Sequence, residues 1–172
     1  MKNYLLAVTL LLAVPAAHAA DFIVLNTTSY HWNRSDVKGS PPTTPVCTFA
    51  GSSEICAWNT GTPPLNEYNL GLGYERVHER SVYEVGFYNN SVSRVSAYAS
   101  YAYMLFKAQH ISIGPIVDVA TGYLLAPVVA MAGAEVRFDV HKFGVNLILV
   151  PTATVNGVKA TGFAGLQLRY KL

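Results

Sequence analysis

The chain has 172 residues, 12 basic against 10 acidic, a net charge of +2, and is 51% hydrophobic but only 13% charged. Near-neutrality without a basic stripe speaks against a nucleic-acid partner. So apolar a composition is unusual for a water-soluble domain.

Residues 1–20 read as a secretory signal peptide. Lys2 supplies the positive start, Leu5 to Val14 the apolar run, and Ala17-His18-Ala19 a small-residue cleavage site. Cleavage after Ala19 or Ala20 is expected, with no following Cys to carry a lipid anchor. Residues 21–172 then make one domain. In this domain the long uncharged stretches, between Asp118 and Glu135 and between Lys142 and Lys159, are broken by Gly and Pro. They fall short of the ~20 residues a spanning helix needs. An exported, apolar chain without such helices is best accommodated as a closed barrel, which pairs every backbone group and leaves no edge toward lipid. A soluble β-sandwich or lipocalin-like barrel is the rival fold, and the apolar stripes described next count against it.

Period-two alternation predicts eight strands: β1 at 22–32, β2 at 68–77, β3 at 82–90, β4 at 95–106, β5 at 111–122, β6 at 128–138, β7 at 143–151 and β8 at 160–172. The fold expected is therefore all-β, an eight-stranded up-and-down antiparallel transmembrane barrel. An even strand count puts both termini on the periplasmic side. The turns after β2, β4 and β6 are short and charged, as periplasmic turns are. Residues 34–66 form one long loop rich in Pro, Gly, Ser and Thr, placed outside the cell. That loop holds the only cysteines, Cys47 and Cys56, and export makes a disulfide between them the expected state, against free thiols or a metal pair.

Alternation also divides each strand between lipid and lumen. The outward set collects Leu70, Leu72, Tyr74, Tyr101, Tyr103, Leu105, Val145, Leu147 and Leu149, with Tyr30 and Trp32 as an aromatic girdle. The inward set near the periplasmic end is Glu75, Glu84, Glu135, Arg137, Asn146, Gln167 and Arg169, a plug of paired charges. Near the outer end it is small or apolar, including Gly71, Gly73, Ser96, Ser100, Ile116, Met131, Ile148 and Phe163, with Asp118 as an unexplained exception. Eight strands leave room for side chains or one slender ligand, and none for a channel. An acyl pocket bounded by Ser96, Ser100, Ala102, Met131 and Ile148 is one reading; small residues that merely fit a narrow barrel are the other.

His78, His110 and His141 fall in or beside periplasmic turns. His31 alone stands at the outer rim, phased inward with Thr27 and Ser29, and Asn90-Ser91 close β3 at the same rim. An imidazole and a hydroxyl at the mouth of an apolar pocket suit acyl transfer. No His or Cys spacing suggests a metal site, and no cofactor is expected.

The chain resembles the outer-membrane lipid A palmitoyltransferases (the PagP family). The resemblance rests on Tyr30-His31-Trp32-Asn33-Arg34, Gly71-Leu72-Gly73-Tyr74-Glu75-Arg76, Phe87-Tyr88-Asn89-Asn90-Ser91, Ala97-Tyr98-Ala99-Ser100-Tyr101, Val150-Pro151 with Asn156-Gly157, and Arg169-Tyr170-Lys171-Leu172. It implies an outer-membrane enzyme, working as a monomer, that moves a palmitoyl chain from phospholipid to lipid A. Its catalytic residues would be His31 as base, Asn90 as orienter or oxyanion donor, and Ser91 as nucleophile or hydroxyl partner. Three features depart from the family. Asn90 replaces an Asp, an exchange that in a Ser-His-Asp triad of another enzyme class lowers the rate about 10⁴-fold. No amphipathic helix precedes β1, and Asn26 stands where the family has a strand-interrupting proline, although Pro151 matches a second one. The small-barrel lipid A deacylases carry a His-x-Ser-Asn motif that His31-Trp32-Asn33 does not supply. The alternative to an enzyme is a non-catalytic barrel that binds lipid, or a surface partner through its first loop.

Overall fold

A computed structural model describes residues 19–32, 46–50, 53–57, 65–123, 127–155 and 158–172. Nearly all of the expected signal segment and much of the first loop lie outside them. Eight strands form one ring: β1 Ala19–His31, β2 Tyr68–His78, β3 Ser81–Asn89, β4 Val95–Tyr103, β5 Ile111–Thr121, β6 Val128–Val140, β7 Phe143–Val150 and β8 Phe163–Lys171. Each pairs antiparallel with its neighbours in sequence. β1 and β8 close the ring, with Phe22 opposite Lys171 and His31 opposite Phe163. The expected all-β, eight-stranded, up-and-down antiparallel barrel is the observed one.

The ladder departs from simple alternation in three places. β4 stops at Tyr103 rather than running on to 106, and a short piece, Phe106–Lys107, resumes the pairing with β5 one residue out of step. The cause lies opposite the break, where Pro115 has no N–H to give the ladder. β8 begins at Phe163 rather than 160, because Val158–Ala160 pairs instead with Ala153–Val155 in the preceding connection. The first connection, expected as one long loop, contains a second small hairpin, Val46–Ala50 against Ser53–Ala57, with Cys47 directly opposite Cys56.

A bulge in β1 decides which way the rim residues point. The register shifts between Asn26 and Thr28 against both β2 and β8. Below it the even residues Phe22, Val24 and Asn26 are buried inward; above it the odd residues Ser29 and His31 are. One extra residue reverses the phase of everything beyond it. The hydroxyls of Thr27 and Thr28 tie the bulge down, donating to the carbonyls of Leu166 at 2.8 Å and Glu67 at 2.7 Å.

Burial is inverted relative to a water-soluble protein. Leu70, Leu72, Phe87, Val117 and Leu168 are exposed on the outside, while Glu75, Glu135, Arg137 and Arg169 are buried within. Glu75 organises the lower lumen. It accepts from Arg137 at 2.6 Å and Arg169 at 2.7 Å, and its second oxygen accepts from Asn146 at 3.3 Å. Arg169 also reaches Asp139 and lies over the Phe22 ring, 4.7 Å from its centroid. Beside this network Val82, Ala102, Met104 and Ile116 make a small apolar core. A buried ion pair adds little net stability over an apolar substitute, but removing one partner strands the others.

Two expectations follow. Glu75→Ala removes the carboxylate that the buried Arg137 and Arg169 share, leaving Arg169 with Asp139 alone, and should cost about 3–5 kcal/mol, read as an earlier urea midpoint of the refolded barrel; an unchanged midpoint would show that the network carries no structural role. With Cys47 opposite Cys56 in register, purified protein should resist thiol alkylation until it is reduced, and two thiols that alkylate without reduction would remove the disulfide.

Candidate functional site

The upper lumen encloses a cavity of about 80 Å³, reached from the rim. Its floor is a hydrogen-bonded layer. Tyr98 donates its hydroxyl to Glu84 and accepts from Asn26 Nδ2 at 3.0 Å. Gln167 Nε2 donates to Asn26 at 2.9 Å and to Glu84 at 3.0 Å. The Tyr98 ring fits because two glycines face it. A methyl group at Gly73 would stand 2.5 Å from the hydroxyl, and one at Gly86 would stand 2.7 Å from the ring. This is the use of Gly73 and Gly86, paired across β2 and β3.

The walls differ in character. Ile116, Met131, Ile148 and Phe163 form an apolar side. Opposite them Tyr88 packs edge-on against Tyr98, ring centroids 5.4 Å apart, and its hydroxyl meets that of Tyr123 at 3.0 Å. Ser91 in turn bonds the Tyr123 side chain. Burial holds the Tyr123 hydroxyl above the ordinary tyrosine range, so it stays protonated and able to donate. Asp118, inward on β5, also faces the cavity. At the rim Ser29 donates to Asn69, whose amide donates to the Asn89 carbonyl at 2.9 Å, and Ser91 accepts from the Asn66 backbone N–H at 2.8 Å. The end of the first loop is thereby fastened to the β3–β4 turn.

His31 and Ser91 both line this cavity, as the sequence suggested, from β1 and from the turn after β3. His31 is buried, with its ring 5.6 Å from that of Phe163. Asn90 is not among the residues that line it. Its Oδ1 accepts from the backbone of Val92 at 3.0 Å and Arg94 at 2.9 Å, and its Nδ2 donates to Ser96 Oγ at 2.9 Å and the Gly122 carbonyl at 3.2 Å. Every valence of the side chain is spent on the turn. Of the expected acyl-pocket residues, Met131 and Ile148 line the cavity. Ser96 does not, because its hydroxyl is held by Asn90 and the Thr121 carbonyl. Ala102 belongs to the small apolar core below, and Ser100 borders an adjoining hollow with Tyr101, Val117 and Ala130, which shares Asp118, Met131 and Ala132 with the cavity.

The tyrosines were overlooked. Tyr88 and Tyr98 share the inward phase of Glu84 and Ser100 and could have been found by parity alone, whereas Tyr123 lies past the end of β5 and carried no periodic signal. Among the described residues no His, Cys, Asp and Glu cluster could hold a metal ion. No protein-family model matches the chain, and no curated protein matches it.

Asn90→Asp, which would restore the residue of the resembled family, should destabilise this barrel. A carboxylate cannot donate to the Gly122 carbonyl and would face it oxygen to oxygen, at a cost of about 1–3 kcal/mol. Thermal unfolding of the refolded variant reads this directly; a midpoint equal to or above wild type would refute the turn-keystone role.

Proposed function

We propose that the chain is an outer-membrane barrel whose upper lumen binds one compact amphiphilic group admitted from the outer rim. The inverted burial supports the location. An exterior band of Leu, Val, Phe and Tyr this extensive is a liability in water and an asset in a bilayer, while Arg137 and Arg169 pair with Glu75 inside. The signal-like first twenty residues agree with export, and the long first connection marks the outer end.

The observation that carries the binding role is the cavity itself, with one apolar wall, one polar wall and a hydrogen-bonded floor. Its size selects the ligand. At about 80 Å³ it is roughly half the ~150 Å³ that holds benzene in an engineered apolar cavity. A group of a few heavy atoms fits, whereas a palmitoyl chain requires Tyr88, Tyr98 or Tyr123 to swing out.

A second reading is acyl transfer between phospholipid and lipid A, as the resemblance implies. The observation favouring it is that His31 and Ser91 reach one cavity. There His31 would take the proton of the Ser91 hydroxyl as it attacks the phospholipid ester carbonyl and return it to the lysophospholipid oxygen as the ester C–O bond breaks, and a lipid A hydroxyl would then take the acyl group from Ser91. Against it stand the tyrosines in the lumen and the commitment of Asn90 to the turn.

Mass spectrometry of lipid A from cells with and without the protein separates the two. The binding role predicts identical lipid A. An extra acyl chain that appears with the protein and disappears with His31→Ala and with Ser91→Ala, in barrels that still fold, would establish transfer instead. Ile148→Trp, which fills the cavity, should abolish binding of short alkyl probes while leaving the barrel intact; undiminished binding would place the site elsewhere.

A further inference from the structure

At the end of the barrel away from the first connection, lysines stand where the exposed apolar wall stops. The outward residues of β7 and β8 face one another across their seam, Phe143 with Tyr170, Val145 with Leu168 and Leu147 with Leu166. Phe143 is 68% exposed, and Leu147, Leu166, Leu168 and Tyr170 are exposed as well, so the seam is an apolar track up the wall. Lys142 stands at its lower end. Its ammonium lies over the Tyr170 ring, 5.8 Å from the centroid, and the rings of Phe143 and Tyr170 pack edge to face, centroids 5.4 Å apart. Lys171 N–H donates to the Lys142 carbonyl at 2.8 Å, which brings a second exposed lysine to the same edge. The neighbouring turn is fastened to this one, because Asp139 N–H donates to the His110 carbonyl at 2.9 Å and His110 Nδ1 meets the Asp139 carbonyl at 2.9 Å. The Asp139 carboxylate itself is held by Arg169. The β1–β2 seam differs at the same end of the barrel. There the outward cation, Arg76, has its counter-ion within the chain, Asp21 at 2.8 Å. Lys142 has no carboxylate within ion-pair distance among the described residues.

We propose that this seam binds one anionic phospholipid, its phosphate on Lys142 at the edge and an acyl chain along the apolar track between β7 and β8. This rests on the membrane placement above and goes beyond it by naming a lipid class and its place on the wall. A phospholipid followed from headgroup to tail presents charge and then hydrocarbon, in the order in which the seam presents lysine and then apolar side chains. Lysines close to a bilayer surface attract anionic headgroups, and the attraction falls off within a Debye length. An ammonium on a flexible stem serves a single phosphate as a point charge. Tyrosine is enriched at headgroup level, and the Tyr170 ring face holds the Lys142 ammonium at that level. A soluble anion would use the lysines and leave the apolar track idle. A zwitterionic lipid would use the track and bring no net charge to the lysines.

The test uses the full chain refolded in micelles of dihexanoylphosphatidylcholine, with backbone amides followed by NMR as dihexanoylphosphatidylglycerol replaces part of the lipid. The amides of Lys142, Phe143, Tyr170 and Lys171 should shift and saturate, while those of Tyr30 and Tyr68 at the other end stay still. Lys142→Gln should weaken the saturation about fivefold, and Lys142→Arg, which keeps the charge, should retain it. Glycerol 1-phosphate, a similar headgroup without chains, should bind at least about tenfold more weakly. Equal shifts at both ends of the barrel, or a Gln variant that saturates like wild type, would overturn the lipid site. Glycerol 1-phosphate or polyglutamate saturating the same amides as tightly as the lipid would overturn it as well, and reassign the lysines to a soluble anion or an acidic protein. Flotation with phosphatidylcholine vesicles separates this failure from that of the membrane placement. A folded chain that does not float with the vesicles overturns both readings, and one that floats yet shows no preference for the anionic lipid overturns the site alone.

Discussion

Closing eight strands into a ring satisfies the backbone completely but encloses a lumen that has to be filled. The sheet has no free edge, so nothing outside it needs to pair. Inside, eight strands leave space only for side chains, and each polar group placed there must find its partner within the same narrow column. The lower half does this around Glu75, which draws Arg137, Arg169 and Asn146 from β6, β8 and β7 onto one carboxylate of β2. Arms from four strands converge on one residue, so the network also holds the ring's cross-section. That is a structural use of charge, and it consumes both buried arginines.

What remains above is set by what the lower half has used. The layer of Tyr98, Glu84, Asn26 and Gln167 separates the ionic network from the cavity. Tyr98 lies flat in it only because Gly73 and Gly86 present no side chain to its ring. Above that layer the lumen has an acid without a basic partner, three tyrosines and an apolar wall, closed by a rim in which Ser29, Asn69 and Asn66 pin the returning chain to the β3–β4 turn. The two halves therefore differ in what they hold: the lower one gathers ion pairs around Glu75, and the upper one holds Asp118, three tyrosines and an apolar wall.

His31 and Asn90 show how one rim can hold residues of the same apparent kind in different roles. Both were suggested by position at the outer end of a strand. His31 faces the cavity because the bulge after Asn26 turned it there. Asn90, two residues before Val92 and four before Arg94, sits where an Asx-type turn needs an acceptor, and its amide finds Ser96 and Gly122 as it does so. An aspartate would meet the acceptor requirement and fail the donor one, so the exchange at this position concerns the turn before it concerns any reaction.

Much of the barrel was legible in the chain, because alternation has a period of two and the polar half of it turns to the lumen. Strand number, the antiparallel order, the apolar outer stripe and the buried identity of Glu75, Arg137 and Arg169 all follow from that local pattern. His31 and Ser91 could be assigned to one rim by counting strands. The rest depended on contacts between residues distant in sequence. The bulge in β1 exists only relative to the register of β2 and β8. The break in β4 depends on a proline in the next strand. The size of the cavity depends on where the Tyr88, Tyr98 and Tyr123 side chains come to rest against one another. Asp118, an anomaly while read along β5, is placed only once the ring closes, since only then is it evident that both buried arginines pair with Glu75 and that Asp118 lines the cavity. Local pattern determines which face a side chain takes within an unbroken run of strand, whereas the bulge that reverses the phase and the partner met there are decided by strands that the chain reaches tens of residues later.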